Sequence, residues 1–93
     1  LIKKDDKKSL GEAFKVLEEI IPFEGQTTIL WRLIAKTAGK LNKISIAYIA
    51  LAEEQVIKNN LKKAKQYALL GLKDKKLGLA YRIRGEDILN LKN

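Results

Sequence analysis

The chain is 93 residues long, 46% apolar, and carries a formal charge of +8, enough apolar material for one small packed core. It contains neither cysteine nor histidine, which excludes disulfides, the usual zinc sites and nucleophiles activated by a histidine base. One proline and six glycines are too few for the frequent turns of an all-β fold and favour long helices. The longest apolar stretch, ISIAYIALA at 44–52, falls far short of the ~20 residues a membrane-spanning helix needs. The positive charge is carried by sixteen lysines and only three arginines. Arginine is the better residue for phosphate forks and base edges, so nucleic acid is not an expected partner.

Residues 1–8 are charged and aperiodic and are expected to form a flexible end, leaving 9–93 as a single domain. The opening LIKKDDKKSL shows no signal peptide and no initiator methionine, as expected of a piece of a longer protein. Ser9 with Glu12 three residues on reads as a capping box. Leu10, Ala13, Phe14, Leu17, Ile20 and Ile21 follow helical spacing, and Pro22 is expected to end this first helix before Gly25 turns the chain. A second helix is predicted from Thr27 or Thr28 to Gly39, where a glycine C-cap belongs. Asn42 is expected to cap a third helix running to Lys58. This helix is apolar around most of its circumference and therefore should have neighbours on several sides. Asn60 caps a fourth helix bearing Leu61, Ala64, Ala68, Gly71 and Leu72. Asp74 is expected to cap a fifth, with Leu77, Ala80, Tyr81, Gly85, Ile88 and Leu91 in register and Arg82 paired to Glu86.

Five helices joined by short loops must pack antiparallel to their neighbours. Their starts recur so that two helices span about 34 residues, the period of helix-pair repeats. Trp31, Ile34, Ala35 and Ala47 fit one tetratricopeptide-like register, and Tyr48, Leu51, Ala52, Asn59-Asn60, Ala64 and Leu72 fit a second, offset by one helix. The predicted fold class is all-α: an antiparallel helix-pair solenoid of about five helices, tetratricopeptide-repeat-like.

The stretch LAEEQVIKNNLKKAKQYALLGL at 51–72 gathers charges that could be taken for a site. Glu53 and Glu54 are sequence neighbours about 100° apart on a helix, so they do not converge as an acid pair. Glu54 precedes Lys58 by four positions, the favourable order for an ion pair. Tyr48 and Tyr67 fall on apolar stripes and read as core aromatics. The charges read mostly as a solvated face. Arg32, Lys36 and Lys40, at i, i+4 and i+8 on one helix edge, are the candidate partner-binding residues. Such a stripe suits an acidic segment or a C-terminal carboxylate of a partner, and equally reads as a solvated outer face, since surface lysines need no special explanation.

Residues 28–92 also resemble a known family. Trp31-Arg32-Leu33, Ala50-Leu51-Ala52-Glu53, the break at Asn59-Asn60, Ala64 to Leu72 and the ending YRIRGEDILNLK are similar to the C-terminal tetratricopeptide-repeat domain of bacterial periplasmic zinc metalloproteases of the beta-barrel assembly-enhancing kind, relatives of the CAAX prenyl protease. The chain departs from that pattern at 59–60, where the family has Gly-Asp or Gly-Asn. The resemblance implies a non-catalytic protein-interaction module of a larger protease, acting in outer-membrane protein assembly and quality control in the periplasm. Barrel-assembly components would be its partners. Zinc would belong to the protease domain, whose HExxH motif is absent here, so no cofactor and no enzymatic activity are expected of these residues. A standalone adaptor of the same fold is the alternative, with a basic nucleic-acid-binding helical domain behind it. Apolar surfaces at the ends of a short solenoid would permit self-association.

Overall fold

The computed structural model describes residues 6–92, which contain five α-helices and no strand among them. They are α1 (Lys7–Glu24), α2 (Thr28–Lys40), α3 (Ile44–Ile57), α4 (Leu61–Leu72) and α5 (Leu79–Leu89). Of the expected flexible end, 1–5 lie outside the described residues, and helix already begins at Lys7. Each helix packs on the next, and α3 also packs on α5. Thus α3 and α5 lie side by side with α4 against both. On the other flank of α3 sits α2, which carries α1. The molecule measures 47 × 27 × 19 Å, the proportions of a row of helices two layers deep.

Several helix ends differ from the sequence expectation, each for a local reason. Asp6, not Ser9, caps α1, and its carboxylate accepts from the Ser9 amide and hydroxyl at 3.4 and 3.3 Å. An acidic cap also suits the positive end of the helix dipole. Pro22 lies inside α1, which continues to Glu24. So near a helix end a proline removes only one ladder hydrogen bond. Gly25 then closes the turn, where an added Cβ would stand 2.7 Å from the Ile21 carbonyl oxygen.

At the end of α2, Gly39 is not the capping glycine. Asn42 takes the left-handed conformation instead, with φ 61°, and Asn59 repeats it after α3 with φ 64°. Both turns are Schellman motifs: the Lys43 amide donates to the Ala38 carbonyl at 2.8 Å and the Asn60 amide to that of Gln55, also at 2.8 Å. Asparagine tolerates φ > 0 better than other non-glycine residues because its short amide bonds locally. Lys43 occupies the N-cap of α3. Asn60 does cap α4, accepting from the Lys63 amide at 3.3 Å.

Asp74 does not cap α5, whose N-cap is Gly78, four residues later. Its carboxylate instead accepts from the Ser45 hydroxyl of α3 and, at 2.9 Å, from the Lys76 amide. Its carbonyl receives the Arg82 guanidinium at 2.7 Å, so Arg82 braces this loop rather than serving the expected Glu86 pair. Leu77 then drops from the loop into the core.

The main core surrounds Trp31, Ile34 and Ile49, the largest fully buried side chains, and takes in Phe14, Leu30 and Tyr81. A second cluster joins Ala52, Ala64, Ala68 and Ile88. Ala64, Ala68 and Gly71 recur at i, i+4 and i+7 along α4 and bring its backbone close to α3. Tyr48 and Tyr67 stack across these two helices with centroids 6.3 Å apart, half-buried rather than fully internal.

Candidate partner-binding surfaces

The sequence-predicted edge Arg32, Lys36 and Lys40 lies on the exposed face of α2. Its three members differ in their engagement. The Arg32 guanidinium donates to Glu54 Oε2 of α3 from Nε at 3.0 Å and from an Nη at 2.8 Å. Lys58 approaches the same oxygen at 3.4 Å, the i, i+4 pair expected from sequence. Glu54 itself is buried, with 5% of its surface exposed, an exception within 51–72, where Lys58, Lys62 and Lys63 are exposed. Arg32 therefore clamps α2 to α3, while Lys36 and Lys40 extend the exposed edge. Ile29 and Leu33, 68% and 46% exposed, give that edge an apolar half that the charge pattern had not revealed.

Burial raises the pKa of Glu54, but hydrogen bonds and Coulomb attraction from Arg32 and Lys58 outweigh it and hold the carboxyl below its ordinary value. A carboxyl whose folded pKa is depressed adds stability above its unfolded pKa and loses it as pH falls through the folded one. Arg32→Ala should therefore cost about 1–2 kcal/mol near neutrality, less than breaking a fully buried pair because both cations are half in water. The difference from the parent chain should shrink as pH drops below the ordinary glutamate range near ~4.3. Urea denaturation of both proteins at neutral pH and at successively lower pH checks this, and a cost that stays constant into acid would assign it to lost packing of the arginine stem.

The side chains of α5 reach over the other helices. The Tyr81 hydroxyl donates to Glu18 of α1 at 2.5 Å, and burial, then Glu18, pushes the phenol above its ordinary pKa. Arg84 donates to Glu53 of α3 at 2.7 Å and lies 5.0 Å from the centroid of the Trp31 ring. Glu53 and Glu54 thus serve different partners on different helices, consistent with their not forming an acid pair.

Between α1 and the start of α3 runs an open groove. Phe14, Leu41 and Ile46 form its floor, and Lys7, Lys8 and Lys15 of α1 face Lys43 across it. Lys43 Nζ stands 5.9 Å from the centroid of the Phe14 ring. Glu12 and Glu18 also border the groove, but Glu18 is occupied by Tyr81. Gly11 lies mid-groove on the inner turn of α1, and a Cβ placed there meets no atom within 4 Å. A glycine inside a helix costs about 1 kcal/mol relative to alanine, and here no packing contact demands it. Sequence reasoning missed this groove; the glycine inside the periodic SLGEAF stretch was its one local signal.

Among the described residues, no group of three or more acidic side chains is placed to hold a metal ion, and no helix is long and apolar enough to cross a membrane. The described residues form an all-helical array of five helices with a lysine-edged groove and a basic helix edge. No protein-family model, curated protein or solved structure matches the chain.

Proposed function

We propose that the chain is a tetratricopeptide-like helix-pair solenoid acting as a non-catalytic protein-interaction module. Its groove between α1 and α3 would receive an acidic segment of a partner that carries an apolar side chain. The solenoid reading is supported by the side-by-side packing of α3 and α5 with α4 against both. That arrangement suits the register in which Tyr48, Ala52 and Ala64 mark one helix pair. The binding reading rests on Gly11: the middle of the groove is left without a side chain, over an apolar floor edged by four lysines. The lysines would steer and orient an acidic partner, and the floor would supply the desolvated contact. On the resemblance of residues 28–92 alone, the module would belong to a periplasmic zinc metalloprotease and meet components of outer-membrane barrel assembly.

The test fills the groove. Gly11→Leu adds a side chain that projects into open space on a residue better suited to helix than glycine, so the variant should fold at least as well as the parent. Proteins captured from envelope extract by the parent, identified by mass spectrometry, should be lost with Gly11→Leu and weakened by Lys43→Glu. The same proteins captured in the same amounts by all three would overturn the groove as the binding site.

A further inference from the structure

A second, more apolar surface is built on α1 and α2, from residues none of which belongs to the lysine-edged groove. Leu17 and Ile20 of α1 and Ile29, Leu30 and Leu33 of α2 line one crevice between the two helices. Ile29 and Leu33 stay exposed there, so none of the described helices covers it. The exposed leucines of α4 build no comparable surface, because Leu69 and Leu70 are sequence neighbours about 100° apart on their helix.

Charge is ordered along this face. Only Gly25, Gln26 and Thr27 separate α1 from α2, so the end of α1 and the start of α2 share one end of the pair. Glu24 lines the crevice at that end. Along α2, Ile29, Leu33, Lys36 and Lys40 follow at i, i+4, i+7 and i+11, and all four are exposed, so they share one side of the helix. Read away from the loop, the face is acidic, then apolar, then basic. Neither Glu24 nor Lys36 forms an ion pair with another described residue.

A face with this order matches itself. A second copy, turned end for end about a two-fold axis that crosses the helices, lays its loop end over the lysine end of the first. Its own lysine end then covers the first copy's Glu24. Both glutamates meet lysines, the aliphatic side chains meet in the middle, and the lysine stems cover Ile29. A partner of one sign does not fit as well: an acidic segment is repelled by Glu24, and a basic one by Lys36. We propose that the α1–α2 face is a two-fold interface between copies of this chain. The shorter helix, α2, has 13 residues and spans about 20 Å, so the contact is small and the dimer dissociates in the micromolar range. The interface shares no residue with the lysine-edged groove, so each dimer carries two such grooves.

Sedimentation equilibrium of the chain from micromolar to millimolar concentration tests the proposal. The parent's mass should rise from one copy to two and stop there, because a two-fold contact closes on itself. Glu24→Lys and Lys36→Glu each bring like charges together at two points of the dimer. Each should therefore raise the dissociation constant about tenfold or more. Both positions are exposed, and circular dichroism verifies that both variants fold. Mixed in equal amounts, the two variants should dimerise with each other about as tightly as the parent does. In the mixed dimer both contacts again join a lysine to a glutamate. Ile29→Gln, which removes apolar surface and no charge, should weaken the dimer at every salt concentration. A parent that stays monomeric to millimolar concentration would overturn the proposal and leave the face to a different protein. Growth past the dimer would overturn it in favour of a head-to-tail contact. No recovery in the mixture would also overturn it, since Glu24 would then not lie opposite Lys36. Gly11→Leu should dimerise as the parent does, so the groove and the dimer interface fail separately.

Discussion

Trp31→Ala is expected to be the most damaging single substitution, lowering stability by about 3–5 kcal/mol. A domain of this length has roughly 5–14 kcal/mol in all, so the variant should be marginally folded at room temperature. Three contributions converge on this residue. Its side chain is 1% exposed at the centre of the main core, and truncation there leaves a cavity that Ile34 and Ile49 can fill only in part. Its indole N–H donates to the Gly25 carbonyl at 2.8 Å, pinning the α1–α2 turn to α2. The Arg84 guanidinium rests over the ring and joins α5 to the same point. Trp31→Phe separates the contributions. It keeps most of the volume and the aromatic face but deprives the Gly25 carbonyl of its donor, so it should cost about 1–2 kcal/mol. Urea unfolding followed by far-ultraviolet circular dichroism measures all three proteins, since the parent's one tryptophan cannot serve as the probe in the variants. A Trp31→Phe cost equal to that of Trp31→Ala would mean that the hydrogen bond, rather than the buried volume, holds this corner together.

The core was legible in the sequence where its determinants are local. Ala64, Ala68 and Gly71 recur with helical spacing, and a helix as apolar as α3 has to be surrounded, as the structure bears out with α2, α4 and α5 packed on it. The Glu54–Lys58 pair was visible for the same reason, being one turn apart. Arg32 was not visible as Glu54's second partner because the two are joined only by the antiparallel packing of α2 and α3. A reading that saw the arginine as a stripe residue had no means to see that it was already engaged. Helix ends show the same limit. Asp74 has the side chain of an N-cap, yet Ser45 on a distant helix donates to its carboxylate, and α5 begins only behind Gly78, past the buried Leu77. At Gly39 residue type misled in the opposite direction, since a glycine stood where the helix had no need of one and Asn42 made the turn.

The Arg32–Glu54 pair also bears on how the basic edge is tested. A triple charge reversal of Arg32, Lys36 and Lys40 would place a glutamate against the buried Glu54 carboxylate, so loss of binding could reflect a displaced α2 rather than a lost contact. Reversing the charge of Lys36 alone leaves that pair intact and isolates the surface effect. Structural charge and exposed charge share one helix edge here, and only the geometry tells them apart.

The second large effect is expected at Gly71. Gly71→Ala should destabilise by about 1–3 kcal/mol even though alanine is the better helix former by about 1 kcal/mol. A Cβ at this position would lie 2.6 Å from Ile49 Cδ1 and 2.9 Å from the Ser45 carbonyl oxygen. The first contact is with a side-chain tip, whereas the second is with the backbone of α3 and cannot be relieved by a rotamer change. Gly85 on α5 meets the same isoleucine, and the three atoms nearest to an added Cβ are all side-chain atoms, Ile49 Cδ1 at 2.9 Å and Leu72 atoms at 3.0 and 3.1 Å. Ile49 thus fills the space that two glycines leave at the junction of α3, α4 and α5. Gly85→Ala should cost less than Gly71→Ala, and the two should respond differently to Ile49→Val, which removes the Cδ1 methyl. The double variant Gly85→Ala with Ile49→Val should recover most of the Gly85→Ala loss, a favourable coupling between neighbours. Gly71→Ala with Ile49→Val should recover little, because the Ser45 carbonyl remains in place. Denaturation midpoints of the five variants and the parent complete both cycles. Equal rescue at the two glycines would show that α4 can shift away from α3 by a few tenths of an ångström, and the close approach of these helices would then be a consequence of small residues rather than a requirement for them.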